Sequence, residues 1–330
     1  MSDSIAAGES PPYLGIVTGL PRLHVAIGPS CNNNCVFCME EDRERRREAA
    51  NALDGAAVRR ILEANRGGAE VCFTSGEPTL VEALPNYIAW ARELGYARRS
   101  VATNGRRLAY AAYTQRLVRA GVNLFNISIH GHTAALHDGV ARSPGAFAQS
   151  VAGITEVARS GGAGVQLHTA TVINRRNLGE IAAIHAFVRA LGAQQVVFNM
   201  MQAHGRGATY FDQLFPRYRD VVAAFAALVQ AVPAGTPVYL VDCPACVTAS
   251  IAAGHKGALE RYVHHEVTTG PNGGGLAAHA RADFDRAQRR KRAECRTCVH
   301  DPDCDGIWAR YIETFGWEEF APLVGDGRRP

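Results

Sequence analysis

The stretch LHVAIGPSCNNNCVFC, residues 23–38, decides how the rest of the chain is read. It begins with a short apolar run of the kind a buried parallel strand uses, and the loop that follows carries Cys31, Cys35 and Cys38. Three thiolates at this spacing can hold three irons of a [4Fe–4S] cube and leave the fourth iron without a protein ligand. A strand that ends in a ligand-bearing loop is the opening of a βα unit, whose chemistry collects where the strand ends.

Working outward, the pattern repeats. Residues 70–74, 100–103, 124–130, 165–173 and 195–201 are also short runs rich in Val, Ile and Phe, which with residues 23–27 makes six strands. Amphipathic stretches at 56–65, 84–94, 112–120, 147–160 and 178–191 lie between them, with Gly67, Gly95, Gly121, Gly161 and Gly192 at the expected helix stops. Strands alternating with helices imply an α/β fold of right-handed crossovers, here a partial (β/α)6 TIM-like barrel with its site on the loops after the strands. Beyond residue 235 Pro, Gly and Cys become frequent, and GPNGGG at 270–275 reads as a break. The expected division is a flexible segment 1–22, a barrel 23–235 and a small cysteine-rich extension 236–330.

At 330 residues and 47% hydrophobic, the chain can bury one barrel-sized core with a small appendage. Its net charge of +4 comes from dispersed arginines, which makes no case for nucleic acid or a membrane surface. Residues 1–12 lack the basic and apolar regions of an export signal, and no apolar run reaches the roughly 18 residues of a membrane span. A cytoplasmic location is expected, and in a reducing compartment nine cysteines point to metal ligation rather than disulfides. The run EEDRERRRE at 40–48 reads as a solvated charged helix.

A second group of cysteines lies in the extension: Cys243 and Cys246 in CPAC, then Cys295, Cys298 and Cys304 in ECRTCVHDPDCDG. The spacing suits another Fe–S centre or a four-thiolate zinc, and with five thiols for one site the choice between Cys243 and Cys246 stays open. Cys72, inside the second strand, reads as a small buried hydrophobe. His168 reads as a core histidine, and the aromatics of IWARYIETFGWEEF at 307–320 as core packing.

Several motifs together carry a family resemblance. CNNNCVFC has the form C-x-x-x-C-x-x-C with an aromatic, Phe37, before the last cysteine, and TSGEPTL at 74–80 looks like a Gly-Gly-Glu-Pro element with serine in the first glycine position. TNGRRL at 103–108, ISIHG at 127–131 and HDGVARSPGAF at 137–147 extend the match, and residues 23–210 resemble the radical SAM superfamily. The spacing of Cys295, Cys298 and Cys304 is similar to part of the SPASM or twitch auxiliary-cluster extension, although Trp308 stands where a full SPASM pattern places a cysteine.

The resemblance implies a [4Fe–4S] cluster on Cys31, Cys35 and Cys38 whose open iron takes S-adenosylmethionine, with Phe37 near the adenine. It further implies that the strand-end backbone at Ser75 and Gly76 and the Glu77 carboxylate accept bonds from the ligand's ammonium. Ser128 and His130, two residues apart on the fourth strand, would face the ribose or carboxylate, and Arg142 would neutralise that carboxylate. Asn174, and Gly205 in the stretch 199–208, are further candidates for nucleoside contacts. One auxiliary [4Fe–4S] cluster is expected on Cys295, Cys298, Cys304 and one or both of Cys243 and Cys246.

The implied activity is reductive cleavage of S-adenosylmethionine, by way of an external reductant such as flavodoxin or ferredoxin, to a 5′-deoxyadenosyl radical that abstracts hydrogen from a substrate carbon. The net result would be oxidative modification of a natural-product small molecule or a ribosomal peptide. The 22 residues ahead of the first strand are too few for a leader-binding domain, which points away from leader recognition in cis. Two rival readings are a non-catalytic zinc-binding structural or interaction protein, and a cofactor-biosynthesis cyclase. The cyclase is the poorer match because the chain ends GDGRRP without that family's closing Gly-Gly.

Overall fold

The structure is a computed structural model and describes residues 22–39, 54–66, 70–162, 164–252 and 287–325. Residues 1–21 of the N-terminal segment, the charged run at 40–48, Gly67 and the glycine-rich break at 270–275 lie outside the described residues. Seven parallel strands form one sheet in chain order: β1 (Arg22–Ala26), β2 (Glu70–Thr74), β3 (Arg98–Thr103), β4 (Leu124–Ser128), β5 (Gln166–Ile173), β6 (Gln195–Met200) and β7 (Val238–Val241). The expected six strands are thus corrected to seven. β7 is only four residues long, and Thr236 N–H donates to Pro233 O at 3.1 Å, so the Pro- and Gly-rich stretch that reads as the end of the barrel is a turn into its last strand.

The pairing register assigns every strand residue to one of two faces. Val25, Phe73, Val101, Phe125, Ile127 and Phe198 share the outer face and are fully buried, packed with the helices into one core. Removing each of the larger side chains from water contributes about 1.5–3 kcal/mol. On the inner face, toward the carboxyl ends, Ala26 is exposed and Thr74, Ala102, Ser128, Val172 and Asn199 are half-buried. One wall of the sheet is therefore sealed, and the other is open above its lower layers.

Helix ends follow local chemistry. Asp54 caps the helix Gly55–Ala64 by accepting from Ala57 N–H at 2.6 Å, and Thr133 caps Ala134–Ala141 by accepting from Leu136 N–H. Positive φ angles fall at the expected stops Gly95, Gly121 and Gly192, whereas after Ala146–Ser160 the left-handed residue is Gly162 rather than Gly161.

In the extension, β8 (Arg289–Arg290) pairs antiparallel with β9 (Ile307–Trp308), and the helix Ala309–Phe315 follows. Tyr311 seats this unit on the barrel: its ring lies 4.8 Å from Tyr218 and 5.6 Å from Phe215, and its hydroxyl donates to Glu319 Oε2 at 2.9 Å. The tail aromatics are core packing, as expected.

Candidate active site

The loop of Cys31, Cys35 and Cys38 lies at the carboxyl end of the sheet and is held by four neighbouring segments. From the end of β2, Glu77 N–H donates to Ser30 O at 2.7 Å. Gly76 lies so close beneath the loop (φ 51°) that a Cβ there would stand 2.4 Å from Ser30 O and 2.6 Å from Gly28 O. From the end of β3, Asn104 Nδ2 donates to Asn32 Oδ1 at 2.6 Å, while Arg106 Nη1 donates to Asn32 O at 2.6 Å, Asn33 Oδ1 at 2.9 Å and Ser143 Oγ at 2.9 Å.

From the helix after β4, the carbonyls of Ala141 and Val140 accept from Asn34 and Val36 N–H, each at 2.9 Å. From the segment after β6, Arg206 Nη1 donates to Asn34 Oδ1 at 2.6 Å and Arg206 N–H donates to Cys38 O at 2.9 Å. Each asparagine between the first two cysteines thus has its own anchor. The three thiols remain half-buried, and Cys31 Sγ accepts from Asn33 N–H at 3.3 Å.

Several residues expected to touch a ligand are placed otherwise. Glu77 is buried, and both carboxylate oxygens face inward: Oε1 accepts from Thr79 N–H at 3.0 Å, Thr79 Oγ1 at 2.6 Å and Thr103 Oγ1 at 2.5 Å, and Oε2 from Asn104 N–H at 2.7 Å. Burial pushes its pKa up against the pull of these donors. It ties the end of β2 to the end of β3, and both of its oxygens take part in that tie. Ser75 and Gly76 both adopt left-handed backbone, and the close approach at Gly76 is to the cysteine loop itself.

Arg142 is exposed at the C-cap of Ala134–Ala141 with φ 47°, and the guanidinium that enters the site's network is that of Arg106. Asn174 is fully buried in its own turn, where its Oδ1 accepts from Arg176 N–H at 3.0 Å and its N–H donates to Asn177 Oδ1 at 2.8 Å. Gly205 is exposed, and the glycine required by a close approach is Gly207, where a Cβ would stand 2.4 Å from Gln202 O and 3.3 Å from Phe37 O.

Ser128 ends β4 on the open inner face, and His130 lies two residues further on, just past the end of the strand. Its ring meets Phe37 edge-on at 4.8 Å and stacks on His137 at 5.8 Å. His130 Nδ1 accepts from Val172 N–H at 3.3 Å, which leaves its proton on Nε2. Burial, then the neighbouring His137, pushes the His130 pKa down to about 3, so the imidazole is neutral.

The cysteines of the extension separate into two kinds. Cys246, Cys295, Cys298 and Cys304 line one cleft of about 420 Å³, part of it open to solvent, with Lys291 and Asp301 at its edge. Leu323 N–H donates to Cys298 Sγ at 3.4 Å and Gly306 N–H to Cys304 Sγ at 3.3 Å. Cys243 instead lies in the hydrophobic core, where burial pushes its thiol far up, and it does not line the cleft. Trp308 is buried in β9, edge-on to His204 at 4.8 Å and under the Arg289 guanidinium at 4.0 Å, where it serves packing rather than ligation. Among the described residues no three His, Cys, Asp or Glu side chains converge on a point suited to a single metal ion. A cube binds each thiolate at a different iron and takes a wider ring of ligands than one tetrahedral zinc.

Comparison with known proteins agrees with this geometry. The radical SAM superfamily model matches residues 25–188, the span from β1 into the helix Ile181–Ala190. The chain belongs to the radical SAM superfamily, a superfamily of enzymes. It is 29% identical over 198 residues to an AdoMet-dependent heme synthase of Nitratidesulfovibrio vulgaris, covering 59% of this chain and 53% of that protein. It is 28% identical over 194 residues to a probable GTP 3′,8-cyclase of Saccharolobus islandicus, covering 59% of this chain and 61% of the relative. The match thus spans between half and two thirds of these curated relatives. Among solved structures, Streptococcus suis SuiB bound to S-adenosylmethionine shares the fold with a TM-score of 0.61 at 15% identity, over 91% of this chain and 76% of that one.

Proposed function

We propose that this protein binds a [4Fe–4S] cluster on Cys31, Cys35 and Cys38, binds S-adenosylmethionine against it, and removes a hydrogen atom from a carbon of its substrate in an overall oxidation. The observation that carries this reading is the placement of three half-buried thiols on a loop anchored from four sides, at the mouth of an open inner wall. The donor set fits the group: three cysteines and no fourth on the loop, with a backbone N–H already directed at Cys31 Sγ. When bound, the cluster and S-adenosylmethionine supply a 5′-deoxyadenosyl radical.

The chain's own residues do the rest. Arg106, Arg206 and Asn104 fix the loop, and Glu77 locks the strand ends beneath it, so that the thiols are held before the ligand arrives. The backbone at Ser75 and Gly76, together with Ser128, would face the bound nucleoside. The edge-on pair of Phe37 and neutral His130 would form an apolar flank for its adenine. The small side chains of Ala26, Thr74 and Ala102 leave room for the substrate beyond.

In the extension, Cys246, Cys295, Cys298 and Cys304 would hold one auxiliary [4Fe–4S] cluster, which supplies an acceptor for the electron left after hydrogen removal. Cys243 is outside this set. We place the boundary between barrel and extension after Val241, because β7 completes the sheet. An external reductant such as flavodoxin or ferredoxin would deliver the first electron. The substrate would be a peptide or a natural-product small molecule; SuiB, which shares the fold, has been solved with its precursor peptide SuiA. Among the described residues no helix is long and apolar enough to cross a membrane, and nine free cysteines suit the reducing cytoplasm proposed as its location.

The test is anaerobic reconstitution with iron and sulfide, addition of dithionite and S-adenosylmethionine, and assay for 5′-deoxyadenosine by mass spectrometry. Wild-type protein should form it and Cys31→Ser should not. No product from wild-type protein carrying a full cluster refutes the proposal.

A further inference from the structure

Above its lowest layer, the inner wall of the barrel mixes neutral polar and small apolar side chains and, among the described strand residues, carries no charge. At the amino ends of β2 and β3 the inner face carries Glu70 and Arg98, which pair with each other at 3.5 Å, and Ser100 Oγ donates to Glu70 at 2.9 Å. From the next layer to the carboxyl ends, the register places no Asp, Glu, Lys or Arg on the inner face of any described strand. On β4 to β7 it places the polar Asn126, Ser128, His168, Gln195, Asn199 and Tyr239 there, interspersed with Ala170, Val172, Val197 and Val241.

Four charged side chains on the loops above are committed elsewhere. Glu77, Arg106 and Arg206 anchor the cysteine loop, and Arg175 donates to the carbonyls of Asp212 and Phe215. Arg142 stays at the exposed rim. A phosphate or carboxylate drawn into this wall would lose its water without meeting a countercharge, a cost of several kcal/mol.

The wall also has hydrogen-bonding capacity unmet by protein. Asn199 Oδ1 and Gln195 Nε2, both on the inner face of β6, are buried without a partner, one an acceptor and the other a donor. Leaving a buried polar atom unmet is unfavourable, and a ligand with matching groups removes that cost. Asn199 is the nearer of the two to the open carboxyl end, and register partners put it beside Val172 and Val241.

We infer that the portion of the substrate entering the barrel is neutral and hydrogen-bonding, bearing hydroxyl or amide groups, and that Asn199 is a residue that selects it. The inference rests on the radical SAM reading proposed above and narrows the substrate class of that same site. Nucleoside triphosphates and other polyanions are excluded from the wall, although an anionic end could remain at the rim.

The test uses reconstituted protein saturated with S-adenosylmethionine and affinity selection with mass-spectrometric readout. The probes are matched pairs: guanosine and GTP, glucose and glucose 6-phosphate, N-acetylserinamide and N-acetylserine. At least one neutral member should be retained about tenfold better than its charged partner, and Asn199→Leu should cut that retention about tenfold, the equivalent of about 1.4 kcal/mol. Asn199→Ala provides the same reading should the leucine variant fail to fold. Retention of the sugar alone marks a polyol-like small molecule, and of the amide alone a peptide; either supports the inference. Preferential retention of charged members, retention indifferent to both substitutions, or retention of none overturns it. Formation of 5′-deoxyadenosine by the same wild-type sample reports the radical chemistry separately, so a failure there is distinguishable from a failure here.

Discussion

Replacing Arg106 by leucine should loosen the cysteine loop far more than it weakens the fold. The substitution deletes bonds to Asn32 O, Asn33 Oδ1 and Ser143 Oγ, and one to Gln149 Oε1 at 2.6 Å. Hydrogen bonds to a charged donor contribute about 1.5–3 kcal/mol net each. The guanidinium is only partly buried, so the low end applies to the two bonds that end on the loop, about 3 kcal/mol together; the exposed contact to Gln149 adds little. Both acceptors lie between Cys31 and Cys35, so the cost falls on local opening of that segment and not on the sheet.

About 3 kcal/mol of easier opening corresponds to roughly hundredfold faster release of iron. The assay is anaerobic transfer of iron from reconstituted protein to a colorimetric chelator, followed beside the loss of visible absorption. Arg106→Lys keeps the charge, but its ammonium ends one bond short of the position of Nη1 and leaves no second donor nitrogen for Gln149, so it should fall between wild type and the leucine variant. Arg107→Leu is the control: the Arg107 guanidinium lies over Tyr113 at 4.4 Å and donates to Thr79 O, away from the loop. Release from Arg106→Leu at the wild-type rate, or equally fast release from Arg107→Leu, refutes the reasoning.

Gly76→Ala forces a Cβ against the carbonyls of Gly28 and Ser30 and should cost about 2–4 kcal/mol in chemical denaturation, with poor cluster loading; wild-type stability would show that the close approach is not needed. Glu77→Gln should cost about 2–3 kcal/mol, because each oxygen of Glu77 meets a backbone N–H and either orientation of the amide turns an NH2 against one of them; an unchanged urea midpoint contradicts this. Cys246→Ser should remove one cluster's worth of iron while Cys243→Ser leaves the iron content intact, and the reverse result would reassign the ligand. Burial pushes His130 down to about 3 and His137 and His185 down to about 4, whereas an unfolded histidine protonates near 6.5. Their contribution to stability is therefore complete above about pH 6.5 and falls as pH drops toward 4, by up to about 1.4 kcal/mol per histidine per pH unit. Urea midpoints that stay level between neutral pH and pH 5 would count against it.

What could be read from the chain depended on whether the deciding contacts were local. The outer faces of the strands are apolar runs, and the three cysteines lie within eight residues, so fold class and cluster loop are visible without a structure. β7 escapes because four residues between Pro237 and Asp242 carry too little periodicity to outweigh the punctuation before them. The anchors of the loop escape for another reason: Arg106 and Arg206 meet asparagines 73 and 172 residues away, and nothing in their own surroundings distinguishes them from surface arginines. The structural tie made by Glu77 escapes because the motif shows a carboxylate but not the Thr103 and Asn104 donors that bond to it. In CPAC the two thiols are chemically alike, and only the turn into the helix Ala245–Ala252 sends one into the core and the other to the cleft.

The division has a consequence for specificity. The proposed radical chemistry depends on a short contiguous loop held by distant anchors, while the wall proposed to meet the substrate is assembled from one residue in two on strands far apart in the chain. A one-residue slip of register would bring the apolar outer face inward, so the neutral wall exists only because the outer residues fill the core. Gln195 and Asn199 lie on the face away from the outer packing, and Asn199 is the nearer to the open end. Introducing a single arginine there, as in Asn199→Arg, should shift retention from guanosine toward GTP while leaving the half-buried thiols and their anchors in place. Loss of the cluster in that variant would show that wall and loop are coupled, and that the substrate class cannot be separated from the radical site in the way their geometry implies.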